Sequence, residues 1–262
     1  MNACQTTHPL NHGGTAKDYT YRNAHGVIMV TTWIVFASTG ILFARYGRSM
    51  KFGSRRKLLG EAIWFQMHRL FACLTTVLTL LAFFFVLVYA KGTWVKSDEG
   101  LEFAHSVIGG IVVSCALVQT WMALFRCSPD SSYRFIFNWL HRLLGSLSFF
   151  LSVPTIFTIA AHMEKNRSSM MVILSLWSTW IVILVIIMEI IRYYNQKSSS
   201  KEKDDRNGME FTDTSGQYNE NERKKVHQNN DSKGNNGLLI LFVVHIVVSI
   251  SLAIPLCVYV RK

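Results

Sequence analysis

Long apolar stretches, each bounded by basic or turn-forming residues, divide this chain. The first, "AHGVIMVTTWIVFASTGILFARYGR", runs from residue 24 to 48 with hardly a polar break. Six such stretches are long enough to cross a bilayer as helices, which takes about 20 residues each. The pattern predicts them near 24–45, 62–90, 103–125, 135–161, 169–193 and 237–260, labelled A to F. None alternates polar and apolar residues as barrel strands do. The expected fold class is an all-α integral membrane protein with six transmembrane helices.

Composition agrees. Half of the 262 residues are hydrophobic and only 16% are charged, well below the roughly one quarter of a soluble domain. The net charge of +11 raises the question of a nucleic-acid partner. The basic residues, however, lie between apolar stretches and not along one face, so no nucleic acid is expected and a topological role is. Six lysines and arginines fall between Arg45 and Lys57 in loop A–B, and loops C–D and E–F bring that side to seventeen against eight on the other. The positive-inside rule then puts loops A–B, C–D and E–F in the cytosol and both termini outside. Residues 1–20 read as a short extracytoplasmic tail without a cleavable signal peptide, and 21–193 as a core of helices A to E. Residues 194–236, with eight acids and eight bases and almost no large apolar side chains, read as a disordered cytosolic loop, followed by a sixth span and short tail over 237–262. The five cysteines show neither a disulfide framework nor metal-ligand spacing.

Candidate chemistry comes from four histidines, one near the N-terminal end of each of four consecutive helices: His25 in A, His68 in B, His105 in C and His141 in D. Helices A and C start on one side and B and D on the other. His25 and His105 therefore share one depth and His68 and His141 the other. Two imidazoles per iron from opposed helices, at two levels, are what two stacked b-type haems require. The levels should lie on the order of 15–20 Å apart at about 1.5 Å rise per residue. Gly109 and Gly145 each follow a histidine by four residues, on the same helix face, and would leave room there for a flat porphyrin. Helices A to D thus read as a four-helix di-haem core flanked by E and F. His8, His12, His162, His227 and His245 fall into no such pair, and His245 has no evident partner.

The motifs "AHGVIMVTTW", "LLGEAIWFQMHR", "HSVIGGIVVSCALVQ" and "FNWLHRLLG" resemble the cytochrome b561 transmembrane domain, in its ferric-chelate reductase branch, over about residues 20–260. The resemblance implies two haem b groups, with His25 and His105 on the outer iron and His68 and His141 on the inner. It also implies electron flow from cytosolic ascorbate to an outside acceptor such as a ferric chelate or monodehydroascorbate, and it allows a homodimer. Members of this branch usually carry reeler and DOMON domains ahead of the core; here only a short tail precedes helix A. Thr120 and Cys127 stand where the family often has proline, and Phe65, Gln66 and Met67 stand where ascorbate-using relatives place lysines.

Arg55, Arg56 and Lys57 are candidates to draw in an anionic donor, and equally serve as topology determinants. Arg69 and Arg142 each follow an inner-level histidine and would reach haem propionates or snorkel to the interface. Two other functions compete with the transmembrane oxidoreductase. A transition-metal transporter would want carboxylates or thiols converging on the histidines, and a receptor-like scaffold would use the E–F loop. The membrane could be the plasma membrane or that of an internal vesicle.

Overall fold

A computed structural model describes residues 16–50, 57–58, 60–125, 131–209 and 219–261. The helix α1 (Ala16–Thr31) passes through a wide π-helical turn at Thr32–Ala37 into α2 (Ser38–Tyr46), and together they make one continuous rod. A small hairpin, β1 (Lys57–Leu58) antiparallel to β2 (Glu61–Ala62), leads into α3 (Ile63–Tyr89). Then come α4 (Leu101–Leu124), α5 (Arg134–His162), α6 (Arg167–Met209) and α7 (Asn219–Arg261). Among the described residues, six helices are long and apolar enough to cross a membrane: Tyr19–Tyr46, Ile63–Tyr89, Leu101–Leu124, Arg134–His162, Arg167–Ser198 and Asn236–Arg261. The protein is a multi-pass, all-α membrane protein, as the apolar pattern predicts.

Helix is the form these stretches must take. Lipid offers the backbone no hydrogen-bond partner, so each segment satisfies its own N–H and C=O groups internally. Hydrophobic attraction between helices is weak there, and shape, small residues and interhelical polar contacts decide which helix lies beside which. The α1–α2 rod is the axis of the assembly. Its most apolar window is 56% buried, against 17–28% for the other five spans. Near one end Val30 and Ile34 pack with Ala160 of α5, Met170, Leu174 and Trp177 of α6, and Ala253 and Leu256 of α7. Near the other, Leu42, Phe43 and Tyr46 pack with Leu184 and Met188 of α6 and Leu238 and Phe242 of α7. The rod is therefore held between α3 on one side and α6–α7 on the other.

Polar contacts pin the ends. Glu189 of α6 accepts hydrogen bonds from the Tyr46 hydroxyl and the Arg192 guanidinium, both at 2.8 Å, and forms an ion pair with Arg45. At the opposite end His162, which closes α5, pairs with Glu102 in the first turn of α4 at 2.8 Å. Within the bundle the Thr76 and Thr120 hydroxyls meet at 2.8 Å and tie α3 to α4.

One expectation meets a different local structure. Residues 194–209 continue α6 as helix, and α7 begins at Asn219, within the segment read as a disordered loop. Extending a helix that a membrane span has already nucleated adds one hydrogen bond per residue fixed. Lysine, glutamate, arginine and glutamine, frequent here, are good helix formers.

Candidate functional site

The four sequence-predicted histidines come together as two pairs. The His25 and His105 rings lie with centroids 6.3 Å apart and planes at 81°. The His68 and His141 rings lie 6.4 Å apart at 90°. The first pair joins the start of the rod to the start of α4, and the second joins the start of α3 to α5.

Three of these imidazoles are aimed by backbone carbonyls. His25 Nδ1 lies 2.8 Å from the Ala82 oxygen, His105 Nδ1 lies 2.8 Å from the Thr155 oxygen, and His68 Nδ1 lies 3.0 Å from the Gly40 oxygen. A carbonyl can only accept, so in each case Nδ1 carries the proton and donates it. Nε2 then keeps its lone pair, which is the state in which an imidazole binds a metal. A carbonyl has a second lone pair, so the helix that lends it keeps its own hydrogen bond.

Gly40 makes one of these contacts possible. A β-carbon there would sit 3.1 Å from Cβ of Phe71, so the bare backbone lets α3 come close enough for His68 to reach the carbonyl. The fourth histidine is approached from α4, where the Gln119 amide donates to the His141 carbonyl at 3.3 Å.

Each partner comes from a helix that runs the opposite way to the one carrying the histidine. The result is reciprocal. The rod supplies His25 to the first level and the Gly40 carbonyl to the second, while α3 supplies His68 to the second and the Ala82 carbonyl to the first. Likewise α4 carries His105 and Gln119, and α5 carries the Thr155 carbonyl and His141.

The remaining sequence candidates divide. Beside His105, a β-carbon on Gly109 would meet only Cγ2 of Thr155, at an ordinary 3.6 Å, which leaves space on that face. Gly145 differs, because a β-carbon there would run into the Gln119 amide, so this glycine makes room for Gln119 in the present structure. Arg69 is exposed, with its guanidinium 3.5 Å from Gln66 Oε1 and 6.0 Å from the Phe65 ring centre, and Arg142 is exposed on α5. Arg55 and Arg56 lie outside the described residues, and only the backbone of Lys57, in β1, is described. That hairpin is anchored to the first turn of α3 by Gln66 Nε2, which donates to the Leu58 carbonyl at 2.9 Å. Sequence reasoning missed Gly40, Ala82 and Thr155, since a carbonyl has no residue signature. It also missed the partner of His245, whose Nε2 lies 3.0 Å from Ser38 Oγ.

The donor set is informative about what could be bound. Among the described residues no three histidine, cysteine, aspartate or glutamate side chains converge as a metal site. An ion at either pair would have two protein ligands, and its other ligands would have to come from a non-protein group. That is the donor set of an iron porphyrin, whose macrocycle fills four positions and leaves two opposed ones for imidazoles. Two metal–nitrogen bonds of about 2 Å, each continued by slightly more than 1 Å to the ring centre, span about 6.3 Å. The separations of 6.3 and 6.4 Å match this. The residues fit a bis-histidine haem at each level.

The putative ferric-chelate reductase 1 homolog of Drosophila melanogaster is 34% identical to this chain over 167 residues, which is 64% of the chain and 23% of the relative. Ferric-chelate reductase 1 of Homo sapiens is 34% identical over 152 residues, 58% of the chain and 24% of the relative. The chain's homologues are ferric-chelate reductases and cytochrome b561 proteins. Among the latter, a cytochrome b561 and DOMON domain-containing protein of Arabidopsis thaliana is 27% identical over 147 residues, 55% of the chain and 33% of the relative. The resemblance read from the histidine motifs is thus borne out by these homologues. The chain spans about a quarter of the length of the ferric-chelate reductases it matches. No family model and no solved structure matches it.

Proposed function

We propose that this chain is the transmembrane electron-transfer core of a ferric-chelate reductase, using two b-type haems to connect a cytosolic donor with an acceptor on the far side. The observation that carries the proposal is the pair of opposed imidazoles at each of two depths, at the spacing of a bis-histidine iron. The relatives' names support the reductase chemistry.

The residues have separable roles. His25 and His105 would hold one haem, and His68 and His141 the other. The Ala82, Thr155 and Gly40 carbonyls fix the tautomer and ring direction of three ligands, which keeps each Nε2 available. Gly109 leaves the face beside His105 open. Arg69 and Arg142, one residue past the second-level ligands, are long enough to reach propionates or the headgroup region. Haem held there would supply a one-electron carrier. The helices would hold the two sites toward opposite ends of the bundle.

The net reaction takes one electron from the ascorbate anion, leaving the monodehydroascorbate radical and releasing a proton on the donor side, and gives the electron to ferric iron in a chelate, leaving ferrous iron. The surplus of lysine and arginine in loops A–B, C–D and E–F supports a cytosolic location for the second level and both termini outside. Arg55, Arg56 and Lys57 would draw the anionic donor to that side.

The experiment is a proteoliposome loaded with ascorbate, carrying purified haem-containing protein, with a membrane-impermeant ferric chelate outside. Ferrous iron should appear outside and depend on the protein. A haem-loaded preparation that yields none, across several acceptors, would defeat the reductase proposal.

A further inference from the structure

His245 is completely buried in α7, outside the four helices that carry the paired histidines, yet it reaches into the rod they depend on. Its Nε2 lies 3.0 Å from Ser38 Oγ, and Ser249 Oγ lies 3.4 Å from both ring nitrogens. Ser38 and Ser249 are buried as well. The direction of the first bond comes from counting protons. Ser38 has one hydroxyl proton, and its shortest contact is the Ile34 carbonyl at 2.6 Å, which can only accept. The serine oxygen must therefore receive the histidine contact, so Nε2 carries a proton and donates. Nδ1 is left to accept from Ser249.

Ser38 is the first residue after the π-helical turn. Such a turn inserts one residue relative to a regular α-helix and rotates the residues beyond it by about 100°. On one side of it lies His25, a first-level ligand, and on the other Gly40, whose carbonyl aims the second-level ligand His68. Without the extra residue Gly40 would face elsewhere. Ser38 is thus held twice, to the turn itself through Ile34 and to α7 through His245, two residues before Gly40.

We propose that His245 is a positioning residue for the second-level site: it locks the π-helical turn through Ser38 and so sets the direction of the Gly40 carbonyl and of the His68 ring. The reading of His68 as a haem ligand rests on the proposed function. The link from His245 to the His68 imidazole does not.

The test uses the full chain in detergent with isotope-labelled histidine, first without haem. In the wild type, His245 should show the Nε2–H tautomer and His68 the Nδ1–H tautomer by nitrogen NMR. His245→Leu should abolish the His68 Nδ1–H signal or move it out of its hydrogen-bonded range, with His25 and His105 unmoved. Ser38→Ala, a mild change, should do the same. His245→Gln should restore the signal, because its amide nitrogen can donate to Ser38 from about the same position. After haem loading, the same variants should shift the low-spin ferric EPR signal of the second-level haem and leave the first-level signal in place. An unchanged His68 signal in His245→Leu and Ser38→Ala overturns the proposal. So does an equal disturbance of all three histidines, which would mean only a looser protein. If the wild type takes up no haem, the proposed function fails while the imidazole measurement still decides this one.

Discussion

Gly40 does two things with one backbone unit: its missing side chain admits α3, and its carbonyl directs His68. Gly40→Val should therefore cost about 1–3 kcal/mol through overpacking and deplete the second-level haem before the first, read as a lower melting temperature and a partial loss of absorbance. The histidines themselves give a sharper pattern. His25→Ala or His105→Ala should leave one haem per chain at the second level, and His68→Ala or His141→Ala one at the first, by pyridine haemochrome quantitation and redox titration. A variant from either pair that still holds two haems would contradict the assignment. If each haem is held by two imidazoles as proposed, carbon monoxide and cyanide should inhibit weakly, and unrelated ferric chelates should be reduced at comparable rates. The two histidine pairs could be read from sequence because each member is a rare polar residue in an apolar run and depth limits who can meet whom. The atoms that aim them could not, since Ala82 and Thr155 contribute only backbone.

At the scale of elements, the six spans were legible almost to their ends, for length and unbroken apolarity decide a membrane helix. The π-helical turn was not. Nothing in "TWIVFA" distinguishes it from its surroundings, and the structure supports it from outside through Ser38 and His245. The helical continuation into 194–209 was hidden for a related reason, because composition reports solubility and not whether a neighbouring span has already nucleated a helix. The end of the rod is tied to α6 by Glu189, which serves Tyr46, Arg45 and Arg192 together. Removing it takes an acceptor from three donors at once. Glu189→Ala should destabilise the protein by about 1.5–3 kcal/mol, the worth of hydrogen bonds to a charged group, and Glu189→Gln by less, as measured by thermal unfolding in detergent.

For the molecule as a whole, the rod's two buried clusters are both completed by α7, through Ala253 and Leu256 at one end and Leu238 and Phe242 at the other. A chain cut after residue 236 should therefore retain haem poorly even though every paired histidine is still present. Spectra of that truncation, alone and with residues 237–262 supplied as a separate peptide, would check it. The reciprocal arrangement of the four helices has a consequence for how the protein is built. A group bound at either level would rest on all four helices, because each of them contributes a histidine, a carbonyl or an amide to both levels. Whatever residual motion of these helices binding at one level quenches would not have to be quenched again at the second, so uptake of the two proposed haems should be cooperative by linkage. A haem titration should then show apo and fully loaded chains with few half-loaded ones between them.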